Sequence, residues 1–185
     1  MAGMRTVEEL LAIAPDAYDI AVFSAEPHGN YNRILLSPVL AGEKSLEEIT
    51  LNDEDWYAAH GIALLKGKAA VEIDRRRRRV VASDGTFVEY DRLLLATGSD
   101  PVMLPLPGND LPGVVTFRDI ADVESMRLAA EHYRRAVVIG GGLLGLEAAY
   151  GLLKRGMAVT VVHLMDTLME RQLDATAGAM LRKSL

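Results

Sequence analysis

The chain has 185 residues, half of them hydrophobic, and carries 26 acidic against 20 basic side chains for a net charge of −6. That length suits one or two domains, and the negative balance argues against broad binding to nucleic acid or anionic membranes. Zero cysteines exclude disulfides, a redox-active thiol pair and cysteine-ligated iron–sulfur clusters among these residues.

No apolar run reaches the ~20 residues that a bilayer requires. The N-terminus has neither the basic nor the long apolar region of a signal peptide, so a cytoplasmic location is expected. His28, His60, His132 and His163 lie far apart without helical pairing, and no metal site is expected.

In chain order, residues 4–14 place Met4, Val7, Leu10, Leu11 and Ala14 at helical spacing, stopped by Pro15-Asp16. Ile20 to Phe23 reads as a short strand leading toward Glu26 and Pro27. Helix followed by strand is the back half of a βαβ unit. The chain opens Met1-Ala2-Gly3-Met4, with one glycine where the third of a G-x-G-x-x-G would stand. Neither the first strand nor the first two glycines precede it.

Asn52-Asp53-Glu54 caps a short helix around Trp56 that ends at His60-Gly61. Ile62–Leu65, Ala69–Ile73, Val80–Ala82 and Phe87–Tyr90 read as short strands, with Asp84-Gly85 as a hairpin turn. The Arg75–Arg79 run lacks aromatic interleaving and follows Glu72 and Asp74, which makes it a solvated hairpin tip. Leu93–Ala96 reads as a buried strand ended by Thr97-Gly98, small residues that admit a ligand close to the backbone. Four prolines between 101 and 112 mark a linker. Asp119 to His132 is amphipathic, with Ile120, Val123, Met126, Leu128 and Ala129 toward one side.

Residues 136–149, A-V-V-I-G-G-G-L-L-G-L-E-A-A, carry the most information. The uncharged run Ala136–Ile139 predicts a strand buried on both faces of a parallel sheet. It enters Gly140, Gly142 and Gly145 in G-x-G-x-x-G spacing, then a helix from Leu143 to Arg155. Gly140 allows the tight turn, Gly142 lets the backbone approach a pyrophosphate, and Gly145 lets helix and strand pack closely. The helix N-terminus then receives phosphates. A second strand, Ala158–Val162, completes a dinucleotide-binding βαβ unit. Such units usually close in an acid that binds the ribose 2′-hydroxyl. Here His163 stands instead, which neither repels a 2′-phosphate as a carboxylate does nor excludes NADPH. The alternative for His163 is a surface histidine at a strand end.

Leu93-Leu94-Leu95-Ala96-Thr97-Gly98-Ser99, followed at a distance by Val138-Ile139-Gly140-Gly141-Gly142, resembles the two-dinucleotide flavoprotein reductases. In these an FAD domain is interrupted by an NAD(P)H domain. Tyr31-Asn32-Arg33-Ile34-Leu35-Leu36-Ser37 resembles a segment of their ferredoxin-reductase-like members. Met4 to Leu11 and Leu168-Met169-Glu170-Arg171-Gln172-Leu173-Asp174 are similar to the large subunit of assimilatory NAD(P)H-dependent nitrite reductase. The resemblance covers essentially the whole chain.

The resemblance implies a glutathione-reductase-like α/β fold of two incomplete Rossmann-type units with a β-hairpin insertion. It implies a partial FAD-binding domain with linker over 1–116 and a partial NAD(P)H-binding domain over 117–185. Gly3 then matches the last glycine of the FAD phosphate turn, and Glu26 the region contacting the FAD ribose. Arg33 and Ser37 match a segment against the flavin, and Thr97 with Gly98 a second FAD contact. For the nicotinamide dinucleotide it implies contacts from Gly140, Gly142, Leu143, Leu144, Gly145 and His163. Glu147 matches a residue near the nicotinamide, its alternative being a solvent-side helical glutamate. Some related reductases carry a lysine just after the Leu-Ser of this segment; Pro38 stands there instead.

The implied activity is hydride transfer from NAD(P)H to FAD, feeding nitrite reduction through a downstream redox domain or small subunit. Siroheme and an iron–sulfur cluster are expected only in regions downstream of these residues. A ferredoxin or rubredoxin reductase and a non-catalytic nucleotide-binding fragment are the alternatives. The 185 residues alone are expected to hold FAD poorly and to self-associate.

Overall fold

In the computed structural model, which describes residues 1–185, the elements run α1 (Ala2–Ile13), β1 (Ala21–Phe23), a 3-10 turn (Arg33–Leu35), α2 (Leu36–Ala41), α3 (Leu46–Ile49) and α4 (Glu54–Ala59). Strands β2 (Ala63–Leu65), β3 (Ala70–Asp74), β4 (Arg79–Ala82) and β5 (Phe87–Glu89) follow. The remainder is α5 (Ile120–His132), β6 (Arg135–Ile139), α6 (Leu143–Lys154), β7 (Ala158–Val162) and α7 (Ala175–Ser184). They divide into two units, Met1–Asn32 with Thr50–Ser99, and Arg33–Ile49 with Asp100–Leu185. No helix is long and apolar enough to cross a membrane.

In the first unit, α1 turns the stripe Met4, Val7 and Leu11 onto a core shared with Tyr57, Ile62, Ile20, Val22, Trp56 and Leu64. Spacing of three and four residues puts that stripe on one helix face. Strands β1 and β2 pair in parallel, Ala21 opposite Ala63. The connection between them includes α4, whose start is fixed by the Asp53 carboxylate accepting the Trp56 N–H at 2.8 Å. Strands β3, β4 and β5 form an antiparallel sheet, the expected hairpin insertion. The arginine run sits at its first turn, where Asp74 accepts the N–H groups of Arg76 and Arg77. Asp74 also faces the guanidinium groups of Arg77 and Arg79, so the tip neutralises part of its own charge.

One expected strand is absent. Residues 93–96 form no ladder, and Leu94 and Leu95 are 58% and 65% exposed. A strand exists only where a neighbour takes up its N–H and C=O groups, and no such partner lies beside these leucines.

The second unit centres on the parallel pair β6–β7, in register from Arg135–Ala158 to Ile139–Val162. Helix α6 connects the strands and packs on their sheet. The expectation of burial on both faces is corrected, because exposure alternates and Val137, Ile139 and Val162 are exposed. A parallel sheet is buried twice only when helices cover both faces. Helix α5 buries Ile120, Val123, Met126 and Ala130 as spacing predicts, but Leu128 is exposed. Leu128 lies two residues beyond Met126, roughly 200° around the helix from it. An Asp119–Asp122 capping box starts α5.

Helix α2 packs against α5 and α6. Its approach to α6 is set by Gly151, where an added Cβ would stand 2.6 Å from Leu40 Cγ. Leu40 is fully buried and has nowhere to move. Beyond α6, Arg155 donates from Nε to Leu40 O at 2.5 Å and from Nη2 to Val39 O at 3.2 Å. A cation is thereby placed on carbonyls at the negative end of α2. Gly151→Ala is expected to cost about 1–3 kcal/mol by overpacking. An unchanged denaturation midpoint in this variant would contradict the close contact.

Candidate functional site

The glycine turn between β6 and α6 assigns a different task to each glycine. Gly140 has φ +125, a conformation that side chains rarely adopt, and its N–H donates to Val162 O at 2.8 Å. A Cβ on Gly145 would lie 2.0 Å from Gly140 O, so helix and strand meet backbone to backbone. A Cβ on Gly142 would meet nothing within 4 Å. Gly142 is also the N-cap of α6 and offers no side-chain cap, which leaves the positive helix end open to an anion. Leu143 and Leu144 follow in the first turn with both side chains exposed.

Sequence reasoning passed over Gly141, the residue between the motif positions. Its N–H donates to His163 Nδ1 at 3.0 Å, and its carbonyl accepts the Met169 N–H at 3.0 Å. An added Cβ would strike His163 Cγ and Leu168 Cδ2, both at 2.7 Å. The His163 Nε2 lies 3.0 Å from Glu170 Oε2. The ring does not match the alternative of a surface histidine: it is tucked beneath the turn, with its side chain 15% exposed. Nor is it free to receive a 2′-phosphate, since both nitrogens are engaged. Because the Gly141 N–H must donate, Nδ1 accepts, and the ring proton is on Nε2 facing Glu170. Three glycines in a row were the available signal that the middle one is constrained.

Ser37 and Glu147, 110 residues apart in sequence, meet in the second unit, where Ser37 Oγ donates to Glu147 Oε2. The pairing follows from the helix contact described above. Glu147 and Gly151 share a face of α6 at spacing four, and Ser37 and Leu40 share a face of α2 at spacing three. Glu147 is therefore not a solvent-side glutamate. Arg33 donates from Nη1 to Arg118 O at 2.9 Å, which ties the 3-10 turn to the start of α5.

The first unit holds the remaining expected residues. A Cβ on Gly3 would come 3.1 Å from Ala96 Cβ, so the start of α1 lies against the segment leading into Thr97 and Gly98. Gly98 has φ +78. Glu26 accepts the Tyr31 hydroxyl at 2.6 Å. Its own carbonyl accepts the Gly67 N–H at 3.0 Å and the Ser24 hydroxyl at 3.1 Å. The neighbouring Tyr57 hydroxyl donates to Asn30 Oδ1 at 2.6 Å, and burial pushes its pKa up. These bonds hold the loop carrying Glu26 to the core.

Comparison with known families matches residues 1–185 to the pyridine nucleotide-disulphide oxidoreductases, and the chain belongs to that family. It is 52% identical over 185 residues to a nitrite reductase [NAD(P)H] of Bacillus subtilis (strain 168), covering all of this chain and 23% of that protein. It is 48% identical over 185 residues to the assimilatory nitrate reductase electron transfer subunit of the same organism, covering 24% of that protein. Among solved structures, a ferredoxin reductase from Rhodopseudomonas palustris superposes with a TM-score of 0.85 at 30% identity, over 96% of this chain and 44% of that one. The chain thus spans about a quarter of the length of these curated relatives.

Proposed function

We propose that the chain is the electron-input region of an NAD(P)H-dependent flavoprotein reductase, taking hydride from NAD(P)H onto FAD and delivering the electrons to nitrite. The observation that carries this reading is the glycine turn, in which Gly142, in extended backbone, faces open space beside an uncapped helix end. The division by cofactor is residues 1–116 for FAD and 117–185 for NAD(P)H. Reduced nicotinamide supplies the hydride and flavin carries the electrons, so the protein contributes binding, orientation and electrostatics.

In this reading the N–H groups of Gly142, Leu143 and Leu144 hold the pyrophosphate of NAD(P)H. Gly140 and Gly145 keep the turn tight enough to present them. Glu147, one helical turn further on, orients the nicotinamide end, and the Ser37 hydroxyl fixes its carboxylate. Gly3, Glu26, Thr97 and Gly98 are proposed to serve FAD, and Arg33 and Ser37 carry the flavin-side assignment that the family resemblance implies. With no cysteine present, no thiol–disulfide exchange can take part within these residues. Nitrite as destination draws support from the nitrite reductase relative. Delivery to a separate ferredoxin-like carrier is the second reading, favoured by the structural likeness to a ferredoxin reductase.

The test is rapid-mixing measurement of flavin reduction by NADH and NADPH in the purified protein supplied with excess FAD. Glu147→Gln is expected to slow flavin reduction by about tenfold or more while nucleotide Kd changes less, the pattern of an interaction made mainly during transfer. Ser37→Ala should slow it less, because the carboxylate remains but is no longer fixed. A protein that binds no nicotinamide dinucleotide would end this reading. Comparing nitrite with a ferredoxin as electron acceptor separates the two destinations.

A further inference from the structure

The segment Leu164–Asp174 has an observed role in the fold. Met169, at φ +54, is one of only two non-glycine residues with positive φ, and its N–H seals the Gly141 carbonyl. Leu168 packs where a Gly141 Cβ would stand, and its own carbonyl lies 2.8 Å from where a Gly178 Cβ would stand in α7. The N–H groups of Gln172 and Leu173 bond back to Met169 O at 2.8 and 2.9 Å, and Asp174 then caps α7. The loop after β7 is thus a clamp on the phosphate turn, and it brings the Glu170 carboxylate against the His163 ring that bonds that turn.

We infer that Glu170, held by His163, is the specificity-determining acid of the nucleotide site and selects a nicotinamide dinucleotide without a 2′-phosphate, NADH over NADPH. The inference rests on nucleotide binding at the glycine turn. In a dinucleotide-binding unit, the acid that closes the second strand accepts the ribose 2′-hydroxyl. The residue at that position here is His163, and its two nitrogens are occupied by Gly141 and Glu170. The imidazole acts as a spacer, and the carboxylate stands one ring beyond the strand end.

Glu170 keeps its charge. Its pKa is lowered first by its own backbone amide and then by the His163 hydrogen bond. Its side chain is 30% exposed, and so within reach of a ligand. A carboxylate there accepts a ribose hydroxyl and repels a phosphate. Arg171 is the cation that also acts on Glu170, and by itself it would favour the phosphate.

The experiment is titration of the purified protein with NADH and with NADPH, reading the ratio of the two Kd values. The protein is expected to bind NADH about tenfold or more tightly than NADPH, because a like charge facing the extra phosphate is strongly unfavourable. Glu170→Gln should collapse that ratio chiefly by strengthening NADPH binding, and Glu170→Asp should restore part of it. In the unsubstituted protein, rising ionic strength should narrow the ratio as the repulsion is screened.

A purely structural role for Glu170 would weaken both nucleotides in parallel and leave the ratio unchanged, which would overturn the inference. So would an NADPH preference that Arg171→Ala abolishes. Binding of neither nucleotide would instead defeat the underlying reading of the glycine turn, and this inference with it.

Discussion

Gly142→Ala is expected to leave the protein folded and to remove most of its affinity for NAD(P)H, whereas Gly145→Ala is expected to cost the fold. At Gly142 the backbone is extended, φ −82 and ψ −178, which any residue adopts, and an added methyl meets no atom of the protein within 4 Å. Its stability should therefore stay within about 0.5 kcal/mol of the parent, as for substitutions that disturb nothing. The methyl stands where the pyrophosphate would approach the helix end, and losing even one charge-assisted hydrogen bond is worth roughly 1.5–3 kcal/mol, about tenfold to a hundredfold in Kd. At Gly145 the methyl would be 2.0 Å from Gly140 O and 2.9 Å from Gly140 C. Both are backbone atoms that cannot swing aside, and the overpacking should reach about 3 kcal/mol or more. Thermal unfolding and nucleotide titration on both variants read the two effects separately. Unchanged affinity in a folded Gly142→Ala protein would refute the assignment of Gly142 to the phosphate approach.

A polypeptide of residues 1–185 is expected to form dimers or larger species as its concentration rises. Strands β6 and β7 make a two-stranded sheet, so each has one edge of unpaired N–H and C=O groups. Beside those edges stand Val137 and Ile139, 65% and 58% exposed. Unpaired edges flanked by apolar side chains recruit further strands, and contiguous apolar surface adds to the drive. In the first unit, exposed Leu94 and Leu95 act in the same direction. Light scattering across a concentration series is the direct measurement, and a stable monomer at high concentration would refute it. Replacing Val137 and Ile139 together by lysine should reduce the association without touching the glycine turn.

Local signals along the chain carried far. The capped start of α4 at Asp53, the Asp84-Gly85 turn and the β6–α6–β7 order each rest on interactions within a few residues or on a fixed motif spacing. Each formed as expected. The distinct tasks of Gly140 and Gly145 were also legible, because positive φ and close backbone approach are properties that only glycine supplies. The leucines at 93–96 show the limit. Their composition matches a buried strand, but a strand also needs a neighbour beside it, and composition carries no information about neighbours.

The class of this protein is legible in contiguous residues, which spell out a βαβ unit with its glycine turn. The assembly of the site depends on long-range packing. That packing brought Ser37 to Glu147 through the Gly151–Leu40 contact, and it drew His163 under Gly141 so that Glu170 stands beside the turn. The physical reason is one of range. Helix and turn signals act over three to five positions, whereas these pairs depend on where two helices approach closely enough to touch and on which side chain a distant loop folds back to present.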